Sequence, residues 1–274
     1  MKQIIKIVIT VFFLCYTASG FSQGNLLISP IRVIMENGKQ KEDLTLTNIG
    51  KDSAVYFISF LHYQMLVDGS FKQLDKPDSA TCADNYLRIF PRRITLPPNE
   101  SQTIRLQFRK PADMKEGEFR SHLYFRAEKD VSPLGVIDVK SDTMHMAVKI
   151  TPIFGISIPV IIRNGNTEAK ISLSDVSLTA VNDTASRIAL SINRIGNKSV
   201  YGIISVEYVP TTGKSIQIGV ANGVAVYTEL DKRTFSLLLD LTKDVNLKNG
   251  KLLIRYTMRK EDGGKEMART EYIL

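Results

Sequence analysis

Tryptophan is absent from this 274-residue chain, cysteine occurs only twice and histidine three times. So little cysteine excludes a fold stapled by disulfides. Cys15 falls inside an N-terminal export signal, which leaves Cys82 without a partner, so stability must come from packed cores. His62, His122 and His145 are far apart in sequence, with no acidic or cysteine companion at metal-ligand spacing. They read as surface or strand-face residues rather than ligands. A nucleophile elbow, a phosphate-cradling glycine loop and an obvious acid pair are all missing, so the sequence argues against an enzyme and requires no cofactor or metal. Helical periodicity of useful length is missing too, as is any apolar run long enough to span a membrane.

What is present begins with the export signal over residues 1–22. Lys2 and Lys6 precede an apolar run from Ile7 to Leu14, and the small residues Ala18, Gly20 and Ser22 follow. Cleavage is expected between Gly20 and Gln23. Phe13 and Leu14 are bulkier than a lipid-attachment signal at Cys15 would take. The mature chain is therefore expected to be soluble, outside the cytoplasm and not inserted in a membrane. Its net charge of +8 includes the signal lysines. The remaining basic residues are interleaved with acids and form no stripe with aromatics, so nucleic acid is not an expected partner.

Short alternating segments punctuated by Gly, Asn and Pro recur along the chain, the pattern of an all-β protein built of sandwiches. The first domain, residues 24–163, has candidate strands at Leu26 to Met35, Asp43 to Asn48, Val55 to Gln64, Tyr86 to Thr95, Gln102 to Phe108, Arg120 to Ala127 and Met144 to Ile162. That is about seven, the immunoglobulin-like count. Asn37-Gly38 and Asp68-Gly69 supply the positive φ angles of hairpin turns, so the segments flanking each should be antiparallel neighbours. After Arg163-Asn164-Gly165-Asn166 the pattern restarts, and residues 164–274 form a second β-sandwich. Its strands are expected at Lys170 to Leu173, Ser186 to Asn193, Gly202 to Tyr208, Ser215 to Val220, Ala225 to Thr228, Thr234 to Asp240, Lys251 to Arg259 and Met267 to Ile273. Asp262-Gly263-Gly264 joins the last two as a hairpin. The linker is short, so the sandwiches should meet at a bend with a cleft between them.

From Met144 to Ile162 every even-numbered residue is apolar, which marks one face of an extended strand that could reach about 60 Å. His145, Ala147, Lys149 and Thr151 make its first half two-sided, like an edge strand. An apolar edge is a hazard that proteins normally avoid, so keeping one points to pairing with another chain. Pro152 and Pro159 lack donors on opposite margins, which predicts a change of partner near Pro152. Burial on both faces is expected from Ile153 to Ile162. The stretch Lys129 to Thr143 is either a flexible hairpin or a segment that orders on binding.

Three segments together resemble the periplasmic fimbrial chaperones, the PapD-like family. They are LLISPIRVIMENGKQKEDLTLTN at residues 26 to 48, PRRITLPPNESQTIRL at Pro91 to Leu106, and EGEFRSHLYFRAE at residues 116 to 128. The resemblance covers the first domain; the second matches in size and strand content. It implies a boomerang of two immunoglobulin-like sandwiches in the periplasm that binds pilus subunits, delivers them to an outer-membrane usher where one exists, and lends an edge strand to a subunit lacking its own. The lent face would be Met144, Met146, Val148 and Ile150; for any one of them, packing into its own core is an equal alternative. Arg32 matches by position the cleft arginine that grips the subunit's terminal carboxylate. The family's second anchor, a lysine late in the same strand, is missing, since Pro159 or Ser157 falls there and Lys149 lies too far upstream. Self-association through edge strands would hide the lent face. The rival reading is an exported structural or adhesive module of a surface assembly.

Overall fold

Side chains that alternate between a dry and a wet face build nearly every element of the molecule. The computed structural model describes residues 26–36, 38–128, 154–182, 184–241, 245, 247 and 249–274. Among them the only helical pieces are three 3-10 turns, Ser79–Thr81, Asp84–Tyr86 and Lys260–Asp262.

The first sandwich uses β1 (Leu26–Ser29), β2 (Val33–Met35), β3 (Lys41–Asn48), β4 (Ala54–Leu61), β5 (Tyr63–Met65), β6 (Phe71–Gln73), β7 (Leu87–Phe90), β8 (Arg93–Leu96), β9 (Ser101–Phe108), β10 (Gly117–Ala127) and β11 (Gly155–Asn164). One sheet runs β1-β3-β9-β7 and the facing sheet β2-β11-β10-β4-β8, with β5 and β6 as a separate hairpin. Leu44, Leu46, Ile104 and Leu106 of the first layer meet Ile58, Phe125, Val160 and Ile162 of the second. Each such side chain contributes roughly 1.5–3 kcal/mol by leaving water.

Two expected strands are each divided between the layers. Leu26 to Met35 becomes β1 and β2, and Tyr86 to Thr95 becomes β7 and β8, in opposite sheets. Pro30 and Pro91 lie at the two crossings, where a residue without an N–H costs the ladder nothing. β2 and β3, which flank Asn37-Gly38, consequently lie in opposite sheets instead of pairing as a hairpin, and the antiparallel neighbours of β3 are β1 and β9. The Asp68-Gly69 expectation holds, since β5 and β6 pair antiparallel around it.

β11 is the described end of the long alternating stretch. It pairs antiparallel with β10 over its whole length, and parallel with β2 only from Val160 to Ile162. From Gly155 to Pro159 its second margin has no strand partner among the described residues. Ile158, Val160 and Ile162 enter the core, while Ile161 points the other way, against Met65, Ala225 and Tyr227. The expected two-sided burial from Ile153 to Ile162 is therefore continuous only from Val160 to Ile162, and Phe154 and Ser157 are exposed. The second face dries out only where the other sandwich lies against it. Ile153, Pro152 and the stretch 129–151 lie outside the described residues.

The second sandwich comprises β12 (Ala169–Asn182), β13 (Ala185–Gly196), β14 (Val200–Val209), β15 (Ile216–Val226), β16 (Lys232–Asp240), β17 (Lys251–Met258) and β18 (Glu266–Ile273). Sheets β12-β13-β16 and β15-β14-β17-β18 enclose Ile188, Ile192, Ile204, Val206, Leu239, Ile254 and Tyr256. The Asp262-Gly263-Gly264 turn joins β17 to β18 as expected, with φ of 102° and 63° at its glycines. The two segments expected at Ser215 to Val220 and Ala225 to Thr228 merge into β15, whose register against β14 shifts twice.

Polar ties cross between the sandwiches. Thr234 N donates to Val67 O at 2.7 Å, and Met65 N donates to Glu229 Oε1 at 2.8 Å. Arg163 donates through Nη2 to Ser199 O at 3.3 Å, while Glu118 Oε2 accepts from Ser199 N at 3.0 Å.

Candidate functional site in the cleft between the sandwiches

Arg32 sits where the chain crosses from β1 to β2, so its side chain belongs to neither sheet's alternation and turns toward the second sandwich. It is 8% exposed. Its guanidinium carbon lies 4.5 Å from the ring centre of Tyr201 and 5.5 Å from that of Tyr227, and Nη1 donates to Tyr227 Oη at 3.1 Å. Two tyrosine faces thus hold the cation by attraction to their π density. Nε and Nη2 of Arg32 are buried without a hydrogen-bond partner among the described residues.

A second arginine reaches the same cleft from the other domain. Arg233, on β16, donates through Nη1 to Ala225 O, while its Nε is buried and unpartnered among the described residues. Burial pushes its guanidinium below the usual arginine value. The Asp68-Gly69 turn packs directly over it. A Cβ at Gly69 would collide with the Arg233 guanidinium, and the φ of 84° there also favours glycine.

Arg32 and Arg233 line one cavity of about 470 Å³, with Tyr63, Phe71 and His122 on another side. Ser157 and Pro159 of β11 line it too. The other arginines nearby are neutralised. Arg120 donates through Nη2 to Glu229 Oε1 and Tyr63 O, each at 2.6 Å, and stacks 3.7 Å from the Tyr227 ring centre. Arg259 donates to Asp262 Oδ2 at 2.8 Å. Among the described residues neither Arg32 nor Arg233 forms an ion pair. The cleft therefore holds one buried arginine, Arg32, and one half-buried, Arg233, each with a buried donor that has no partner among the described residues, an arrangement that a carboxylate would satisfy.

His122 is a strand-face residue of β10, one of the two alternatives expected for it. It is buried beside the cleft, with its ring edge-on to Tyr63 at 4.9 Å and Phe71 at 5.9 Å. Burial, reinforced by Arg120, Arg32 and His62, pushes its pKa from 6.5 down to about 3. The unfolded chain then binds one more proton than the folded chain between those two values. This contribution to stability is complete above about pH 6.5 and is lost as the pH falls toward 3, with a slope of up to about 1.4 kcal/mol per pH unit. His122→Gln is expected to flatten the acid limb of stability by that slope, measured by urea unfolding between about pH 6 and pH 4. An unchanged slope would mean that His122 is charged in the folded state.

Of the residues singled out in the sequence, the structure places Arg32 in the cleft. Met144, Met146, Val148, Lys149 and Ile150 lie outside the described residues, as does His145. Arg233, Tyr201 and Tyr227 escaped the sequence reading. They come from the second domain, and Tyr227 is separated from Arg32 by 195 positions. His62 departs from expectation, since it has companions. Its Nε2 lies 2.8 Å from Asp84 Oδ1, with the buried Cys82 thiol beside the pair. Burial, with Asp84 and Asp78 adding, pushes that thiol up to about 11.

Comparison with known proteins finds no family model and no curated protein that matches the chain. Solved structures similar over nearly its whole length include the Class 5 fimbriae chaperone CfaA, 18% identical, with 91% of this chain and 98% of that chain covered and a TM-score of 0.43. The CsuC–CsuE chaperone–tip adhesion subunit pre-assembly complex from the archaic chaperone-usher Csu pili of Acinetobacter baumannii matches at 16% identity, covering 90% and 97%, with a TM-score of 0.47. The E. coli chaperone DraB matches at 11% identity, covering 91% and 98%, with a TM-score of 0.43.

Proposed function

We propose that this chain is a periplasmic, non-enzymatic chaperone for secreted pilus subunits, a divergent relative of the family its first domain resembles. What supports the reading is a pair of arginines, Arg32 buried and Arg233 half-buried, that face one cavity between the sandwiches and form no ion pair among the described residues. A subunit's terminal carboxylate would enter there. Arg32 would hold it in a charge-assisted fork, and Arg233, from the opposite wall, would supply the second positive charge in place of the absent strand lysine. The margin of β11 from Gly155 to Pro159, which has no strand partner among the described residues, borders the same cavity through Ser157 and Pro159. A subunit anchored by its carboxylate could therefore add backbone hydrogen bonds along this edge, with the alternating side chains of Met144, Met146, Val148 and Ile150 filling its groove upstream. Methionines at two of those positions suit clients of differing shape.

The test is co-expression with an incomplete pilus subunit and recovery of the soluble complex. Val148→Asp is expected to abolish recovery, because a charge would enter an apolar groove, while the thermal midpoint of the free protein stays within about 2 °C. Normal recovery with this variant would remove strand donation from the proposal and favour the reading as a structural module. Isolation of the protein only as part of an insoluble surface fibre would do the same.

A further inference from the structure

Apart from the cleft, the structure gathers a second set of chemically distinct side chains. His62 sits at the bend between β4 and β5, Cys82 directly follows the 3-10 turn Ser79–Thr81, and Asp84 opens the turn Asp84–Tyr86. The imidazole, thiol and carboxylate donor atoms all lie within 4.8 Å of one another. We propose that His62, Cys82 and Asp84 form a binding site for a borderline-soft divalent metal, zinc above all.

The donor set selects the metal. One nitrogen, one sulfur and one oxygen suit zinc or copper, whereas magnesium and calcium take oxygen donors alone. Metal–ligand bonds of about 2.0–2.3 Å in a tetrahedron place neighbouring donors roughly 3.3–3.8 Å apart, so closure needs shifts of about 1 Å or less. His62 Nε2 and Asp84 Oδ1 are already 2.8 Å apart and would open slightly around the ion. The carboxylate is oriented from behind, since Ser121 Oγ donates to Asp84 Oδ1 at 2.7 Å and accepts from Asp84 N at 3.1 Å. Such an outer partner is what fixes a ligating carboxylate in built metal sites. The thiol donates to Asp78 O at 3.2 Å, and ligation would replace that proton with the metal, releasing it to solvent. A cavity of about 490 Å³ lined by His62, Asp78, Thr81 and Cys82 gives the ion a way in and leaves the fourth position to water. In such a site zinc would pin the segment that carries Cys82 to the β4–β5 bend, beside the cleft but independent of Arg32 and Arg233.

Cobalt(II) is the spectroscopic probe and zinc the competitor. The full chain, carrying Cys15→Ser and no histidine tag, is titrated with each ion. One equivalent of cobalt is expected to bind with a thiolate-to-metal charge-transfer band and the visible bands of a tetrahedral site, both displaced by zinc. Cys82→Ser should remove the charge-transfer band, and His62→Gln and Asp84→Asn should each weaken binding tenfold or more. His62→Gln keeps the thiol and changes a partly exposed residue, so it reads out the site even if Cys82→Ser folds poorly. Saturating zinc should also slow alkylation of Cys82 at least tenfold. The proposal is overturned by the absence of stoichiometric binding, by a band that survives Cys82→Ser, or by wild-type affinity in His62→Gln.

Discussion

Arg32→Met is expected to weaken binding of a subunit, or of a peptide ending in a free carboxylate, by roughly 2–5 kcal/mol, about 30-fold or more, because one partner of a desolvated charge pair is removed. The same change should alter the stability of the free protein by no more than about 1 kcal/mol, the loss of the Tyr227 hydrogen bond and of the two ring contacts being offset by relief of the unpartnered donors. Methionine keeps the apolar stem between Tyr201 and Tyr227 and deletes two buried donors, Nε and Nη2, that have no partner among the described residues. Loss of binding without a matching loss of stability separates a functional arginine from a structural one. Arg32→Lys should recover little, since an ammonium carries the charge without the planar fork. Calorimetry with paired peptides, one ending in carboxylate and one in amide, gives the reading. Equal affinity for the two peptides would rule out a carboxylate site in the cleft.

The second large effect is on stability. Arg163 donates through Nε to Glu118 Oε2 at 2.9 Å and through Nη1 to Glu36 Oε2 at 3.0 Å, and the Glu118 side chain is 1% exposed. Arg163→Ala strands that carboxylate in the interior and is expected to cost about 3–5 kcal/mol, seen as a lower urea midpoint. The double variant Arg163→Met with Glu118→Gln should recover much of the loss, because it removes both charges at once. The cluster also ties the sandwiches, through Ser199 N and Ser199 O. A loss below about 1 kcal/mol in the single variant would mean that water reaches Glu118.

Much of the fold could be read in advance because a sheet residue's environment repeats with period two. Leu44 and Leu46, or Ile104 and Leu106, announce a buried face in any sheet they join. Turn chemistry was equally local, and Asp68-Gly69 and Asp262-Gly263-Gly264 close the hairpins they promised. Periodicity does not say which sheet a strand joins, which is why the runs broken at Pro30 and Pro91 read as single strands while serving both layers.

By itself the sequence determined the all-β class and the hairpin turns at Asp68-Gly69 and Asp262-Gly263-Gly264, because these depend on neighbours a few positions away, while Arg32 became a candidate through the resemblance carried by residues 26 to 48. Tertiary structure alone decided the content of the cleft. Arg233, Tyr201 and Tyr227 face Arg32 only because two sandwiches fold against each other. The meeting of His62 with Cys82 and Asp84 was settled in the same way, by a bend and a loop that pack together. An arginine between two tyrosine rings, or a thiol beside an imidazole, is a property of distance in space, and separation along the chain does not encode it.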